Sequence, residues 1–207
     1  MNYTRTKLLD TAERLFGENG YAATSLRRII SEAQVNLAAI HYHFGTKQAL
    51  LDQVIMRKAG PVNDRRLKLL DQFETESAPN VPSIEKILVA FIAPAILLDK
   101  SPEFVKLMGR VYAEGLMPEI AQRNFQPVSA RFFKVLRRAM PGMPEREFLW
   151  KAHFAIGAMA HTLTARPSMV PNPEQESAWS ISRMLVAFIS GGFREPAGLE
   201  KEIEVNQ

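Results

Sequence analysis

The chain contains no cysteine. That excludes a disulfide framework, a thiolate metal site and a thiol nucleophile. Histidine is scarce, with four in 207 residues. His41 and His43 have H-x-H spacing, but on a helix their rings diverge by about 200° and cannot share one ion. His153 and His161 are eight residues apart, about 12 Å along a helix. There is no Gly-rich phosphate loop, no G-x-S-x-G elbow and no H-E-x-x-H pair. No metal, no cofactor and no enzymatic activity is therefore expected. Long apolar runs are missing too. The longest uncharged one, residues 87–98, is interrupted by Pro94, whereas a bilayer span needs roughly 20 apolar residues. Residues 1–10 carry no apolar stretch of signal-peptide type. The expectation is a cytoplasmic protein that does not enter a membrane. Nowhere do four or more residues alternate cleanly between turn signals, so no strand is expected.

What the chain does have is helical periodicity. Leu8, Leu9, Ala12, Leu15 and Phe16 form one apolar stripe, closed by Asn19-Gly20. Thr24 or Ser25 caps a short second helix with Leu26, Ile29, Ile30 and Ala33 inward. After a break at Gln34-Val35-Asn36 a third helix covers 37–44, with Gly45 as its stop. Thr46 caps a fourth helix, which reaches about Ala59 before the punctuation of Gly60-Pro61. Further helices are expected at 83–99, with a kink or break at Pro94, at 102–115, at 118–140 with an interruption at Pro127, at 145–166 and at 174–191. The fold class is all-α. Residues 1–58 form a three-helix helix-turn-helix domain, and 59–207 form a larger helical domain for ligand binding and dimerisation.

Charge and the third helix both direct attention to the front of the chain. The first 60 residues carry eight Lys/Arg against five Asp/Glu; the other 147 carry 18 against 17. A positive excess at one end suits an anionic partner. On the third helix Leu37, Ile40 and Phe44 share an inward face, which turns Ala38, Ala39 and Tyr42 outward, flanked by His41 and His43. A small apolar face rimmed by hydrogen-bonding rings can enter a major groove, where alanine methyls meet thymine methyls. Tyr42, His41, His43 and Lys47 can reach phosphates or base edges. A packing element with an incidentally apolar face fits the same residues.

The segment from Leu8 to Ile55 resembles the DNA-binding domain of the tetracycline-repressor (TetR-type) regulators. The likeness is carried by LLDTAERLFGENGYAATSLRRI and AQVNLAAIHYHFGTKQALLDQVI. Ala12, Leu15, Phe16, Gly20, Tyr21, Thr24, Ser25, Tyr42, His43, Phe44, Thr46, Lys47 and Leu50 all fall on the family pattern. One departure lies in the turn: Gln34 stands where the family has Gly, in a position that calls for left-handed backbone. The resemblance implies that Arg27 contacts DNA and that Thr24 and Ser25 cap the second helix and bond a phosphate. It also implies that Leu37, Ala38, Ala39 and Tyr42 read bases, while His41, His43 and Lys47 hold phosphates. The implied partners are a palindromic double-stranded operator, a second copy of the chain and a small apolar or amphipathic effector.

The later helices supply the rest of the expectation. Leu149, Ala152, Ile156, Met159 and Leu163 repeat at 3-4 spacing, as do Ala178, Ile181, Leu185, Phe188 and Gly192. Two such seams suit a homodimer in which each copy gives two helices to a four-helix bundle. Trp150, Phe154 and Val186 lie off those seams. The middle helices bring Phe91, Phe104, Leu107 and Met108, then Val111, Met117, Phe132 and Phe133. These fit an adaptable apolar pocket, with Arg110 or a histidine such as His153 at the polar end of a ligand; they fit a plain core equally. Arg110 and Glu114 have the i, i+4 spacing of a salt bridge. The KLMGRVYAE segment and the final helix pair are similar to the subgroup of the family that senses fatty acids or acyl-CoA esters. A helical ligand-binding protein or enzyme without a DNA role is the alternative, although no nucleophile or acid–base cluster supports it.

Overall fold

A computed structural model of the chain describes residues 3–97, 101–164 and 168–196; for Leu37 and Ala39 only the backbone is described. All regular structure among these residues is helical. The helices are α1 (Tyr3–Asn19), α2 (Leu26–Ala33), α3 (Leu37–His43), α4 (Lys47–Ser77), α5 (Ile84–Leu97), α6 (Pro102–Ala113), α7 (Met117–Ile120), α8 (Gln126–Ala139), α9 (Glu145–Thr164) and α10 (Ala178–Arg194). The expected helix end at Arg166 and the tail beyond 196 fall outside the described residues.

Two compact units divide the chain. The first holds the residues up to 64 together with 101–129; the second holds 65–97 and everything described from 130 onward. The units therefore do not follow the expected cut after residue 58. The reason is that Leu107, Val111 and Ile120 are buried in one cluster with Leu8, Leu15, Phe16, Ile29, Ile40 and Leu50. The stripe read on α1 is this core: Leu8, Ala12, Leu15 and Phe16 are all fully buried. Gly17 lets α6 come close, since a Cβ there would stand 3.2 Å from the Glu103 carbonyl.

Three elements differ from the sequence expectation. The α4 helix does not end at Gly60-Pro61 but continues through Pro61 to Ser77. An interior proline costs about 3 kcal/mol. Beyond it, residues 62–77 carry buried Leu70 and ion pairs from Arg131 to Asp71 and Glu74 and from Arg138 to Glu74. Before Pro127 the backbone makes a π-helical turn, Ala121–Phe125. Pro127 has no N–H to donate, and a wide turn accommodates the lost bond without ending the helix. The last helix starts at Ala178 rather than 174, because Ser177 caps it by accepting from the Ser180 N–H at 3.0 Å.

In the second unit α10 packs along α5 and against α9. Its core contains tilted and edge-on ring contacts, Phe91 with Phe132 at 5.0 Å and Phe148 between Phe133 and Phe193 at 6.2 and 6.5 Å. Arg66 is buried there. Its Nε donates to the Phe91 carbonyl at 2.7 Å, and its guanidinium lies 4.3 Å from the Phe91 ring centre. Burial pushes its pKa down to about 10.

Candidate nucleic-acid interface

The helix-turn-helix is built from local chemistry. Ser25 caps α2 by accepting from the Arg28 N–H at 3.1 Å. Gln34 does adopt left-handed backbone, φ 50° and ψ 48°, and closes α2 through its N–H to the Ser31 carbonyl. Gly45, φ 72°, ends α3, and Thr46 caps α4 by accepting from the Ala49 N–H at 3.0 Å. Ile40 and Phe44 point into the core. The opposite side of α3 is exposed at Ala38, His41 and Tyr42, and Tyr42 is 85% accessible. His43 is half-buried, with its ring against those of Tyr42 and Phe44. The side chains of Leu37 and Ala39 lie outside those described. Arg27 is exposed on α2, whereas the neighbouring Arg28 pairs with Glu32. Glu32 also pairs with Arg14; hydrogen bonds from Arg14 and then Arg28 hold its carboxyl below the ordinary range. Arg27 thus keeps its charge for a partner in a way that Arg28 does not.

Two residues expected at the DNA are engaged within the head. Thr24 is fully buried, and its hydroxyl donates to the Gly20 carbonyl at 2.7 Å. Lys47 directs its ammonium to the carbonyls of Tyr21 and Thr24 at 2.7 and 2.9 Å and sits 4.1 Å from the Tyr21 ring centre. Burial lowers its pKa, opposed by the carboxylate of Glu114. The sequence marks both positions as family pattern. It does not separate residues that touch DNA from residues that hold the turn.

The expected ligand-lining residues do not gather in one unit. Leu107 and Val111 are core of the first unit, with Phe104, Met108 and Met117 packed against it. They pack α6 and α7 onto the head, with Phe104, Met108 and Met117 half-buried. Arg110 is exposed; it donates to the Glu18 carbonyl at 3.3 Å and borders a cleft of about 430 Å³ with Gly17, Glu18, Lys106 and Gly109. The expected Arg110–Glu114 bridge does not form, because Glu114 turns to the backbone of Tyr21 and Ala22. Phe91, Phe133 and His153 belong to the second unit, where Phe91 and Phe133 are half-buried and His153 is exposed. Arg66, the buried cation of that unit, was not singled out by the sequence: it reads as one more base in a charged helical stretch.

The expected seams of α9 and α10 also divide. Ala152 and Met159 are buried, and Val186 faces the core. Exposed instead are Leu149, Trp150 and Phe154 on α9 and Trp179, Met184 and Phe188 on α10. Phe154 is 61% accessible and Phe188 is 74%. Among the described residues no helix is long and apolar enough to cross a membrane.

A helix-turn-helix with an outward reading face, followed by a larger helical region, defines a DNA-binding regulator fold. Two family models match the chain: "Bacterial regulatory proteins, tetR family" over residues 8–54, and "Tetracyclin repressor-like, C-terminal domain" over residues 89–192. The chain belongs to the TetR family of bacterial regulatory proteins, a family of transcriptional regulators rather than enzymes. The transcriptional regulator UidR of Escherichia coli is 32% identical over 54 residues, 26% of this chain and 28% of UidR. The repressor NicS of Pseudomonas putida is 27% identical over 135 residues, 65% of this chain and 60% of NicS. The chain therefore spans less than two thirds of the curated relatives it matches. Among solved structures, the ketosteroid transcriptional regulator KstR2 of Mycobacterium tuberculosis is 18% identical, with a TM-score of 0.60 over 93% of this chain and 95% of that one. Mycobacterium smegmatis AmtR is 22% identical, with a TM-score of 0.59 over 90% and 86%. At these identities the likeness is one of fold.

Proposed function

We propose that the protein is a dimeric, ligand-released repressor that reads a palindromic operator through α3. The observation that carries this reading is the outer face of α3, where a fully presented Tyr42 stands beside Ala38 and His41 on a helix otherwise locked into a core. Arg27 and the cap of α2 supply phosphate contacts beside it. One head reads few base pairs, so recognition needs two heads related by a two-fold axis. A second copy would cover the row of Trp150, Phe154, Met184 and Phe188, which gives each subunit two helices of a four-helix bundle.

The effector is a small, mostly apolar molecule received by the second unit, near Phe91 and Phe133. Arg66 takes the part that Arg110 was expected to play at its polar end. Its binding favours a conformation with altered head spacing, and operator affinity falls. As Arg66 and the Leu50–Ile55 core turns share the single helix α4, that helix is the lever. Such a regulator acts on chromosomal DNA in the cytoplasm. A gel shift with duplexes from upstream of the protein's own gene tests the reading. Specific retardation supports it, and no shift at low salt removes it.

A further inference from the structure

We infer that Glu114, at the end of α6 and outside the helix-turn-helix, is a positioning residue for operator recognition; this rests on the repressor reading above. Its carboxylate accepts from the backbone N–H of Tyr21 at 2.9 Å and of Ala22 at 3.0 Å, across more than ninety residues of sequence. These two N–H groups open the short connection between α1 and α2. Gly20, φ +85°, turns them to one side, the arrangement by which consecutive backbone N–H groups cradle an anion. Gly20 also leaves the room: a Cβ there would stand 2.1 Å from Glu114 Oε1.

The other side of the same connection is held by a cation. The Lys47 ammonium bonds the carbonyls of Tyr21 and Thr24, while the Thr24 hydroxyl bonds that of Gly20. The connection is thus gripped on its N–H side by a carboxylate and on its carbonyl side by an ammonium, both supplied from other helices. The next residue, Ser25, caps α2. The grip therefore fixes where α2 begins, and with it Arg27 and the register of α2 against α3. Hydrogen bonds to an ionised carboxylate are roughly twice as strong as neutral ones, and this hold adds to the packing of the Tyr21 ring on the core beside Phe16. Arg110, one turn earlier on α6, adds a bond to the Glu18 carbonyl at the end of α1.

Glu114 touches no DNA in this account and acts through α2. Its loss lowers sequence-specific affinity but leaves the attraction of phosphates intact. The test compares the full-length wild type with Glu114→Ala and Glu114→Gln in two measurements. The first is amide exchange at Tyr21 and Ala22; the second is affinity for the operator duplex against a scrambled duplex. In Glu114→Ala both amides should exchange faster while those of Ile29 and Leu50 do not. Operator affinity should fall on the order of tenfold with scrambled-duplex affinity unchanged. Glu114→Gln, which keeps one acceptor oxygen, should lie between. If Glu114→Ala does not fold, Glu114→Gln and the wedge Gly20→Ala decide by the same two readouts. Wild-type exchange at both amides, or an equal fall on both duplexes, overturns the inference. A wild type that shifts no operator would instead defeat the repressor reading itself.

Discussion

The two units are finished differently. In the first, pieces far apart in sequence are joined by charged groups on backbone or on each other. Glu114 holds Tyr21 and Ala22, Lys47 holds Tyr21 and Thr24, and Arg123 and Asn124 hold Asp52 at 2.9–3.2 Å. Arg57 reaches Asp10 and Glu13 in the same way. Among the described residues of the first unit, the exposed large side chains of apolar character are the tyrosines Tyr3, Tyr42 and Tyr112, each carrying a hydroxyl. The second unit also has charged links between distant pieces, Arg131 and Arg138 on Glu74 and Arg66 on the Phe91 carbonyl, but tilted and edge-on ring contacts run through its core, and large apolar side chains are left in solvent on α9 and α10. On the proposed function, rings that each carry a hydroxyl suit a polar surface such as DNA. A unit with a row of exposed rings calls for a protein partner. On the proposed function, the two kinds of surface serve two kinds of recognition on one chain.

The largest effect is expected at the exposed rings of α9 and α10. Phe154→Glu or Phe188→Glu should turn a dimer into a monomer in sedimentation, because an uncompensated buried charge costs several kcal/mol. Met159 and Leu185, which the seam pattern favours equally, are poorer tests. Met159 is buried in its own subunit and Leu185 is half-buried, so a charge there attacks the fold first. If the Phe variants remain dimeric, the ring row is not the subunit contact.

Next in size are the changes on the head. Lys47→Ala should lower thermal stability by about 1.5–3 kcal/mol, the range for hydrogen bonds to a charged group. It should leave the salt slope of DNA binding as it was; a slope reduced by about one would return Lys47 to the phosphates. Tyr42→Ala should cost about 1–3 kcal/mol of operator affinity and relax sequence preference, with stability unchanged. Arg27→Ala should weaken all duplexes alike and reduce the salt slope by about 0.9. Fluorescence anisotropy at several salt concentrations separates these variants. The smallest effect belongs to Gln34→Gly. Relief of left-handed backbone is worth about 1–2 kcal/mol, less the extra freedom of glycine in the unfolded chain. A rise of at most about 1 kcal/mol is expected from denaturant unfolding, and a loss of stability would mean that the Gln34 side chain contributes to the turn.

Much of the first unit was legible because its signals are local. The stripe on α1, the caps at Ser25 and Thr46, the stops at Gly20 and Gly45 and the strained Gln34 are each written within a few residues. What depends on distant partners was not. Lys47 and Thr24 read as DNA ligands until the carbonyls they bond are seen. Arg110 and Glu114 read as a helical pair, yet both reach to α1 and the turn after it. Leu107, Val111 and their neighbours read as pocket lining, since apolar periodicity states that a face is buried and not against what. Pro61 read as a stop because its cost is local, whereas the helix beyond it is met by distant partners such as Arg131 and Arg138 of α8. On α9 and α10 the 3-4 repeat showed two apolar faces per helix but not which one looks outward.

The central claim is that two copies of the head read one palindromic operator. A footprint of the intact protein on the duplex upstream of its own gene tests it most directly. Two protected patches should appear, related by a two-fold axis and spaced by one helical turn or a multiple of it, about 10 base pairs each. A single unrepeated patch, or no protection that survives competitor DNA, would contradict the account.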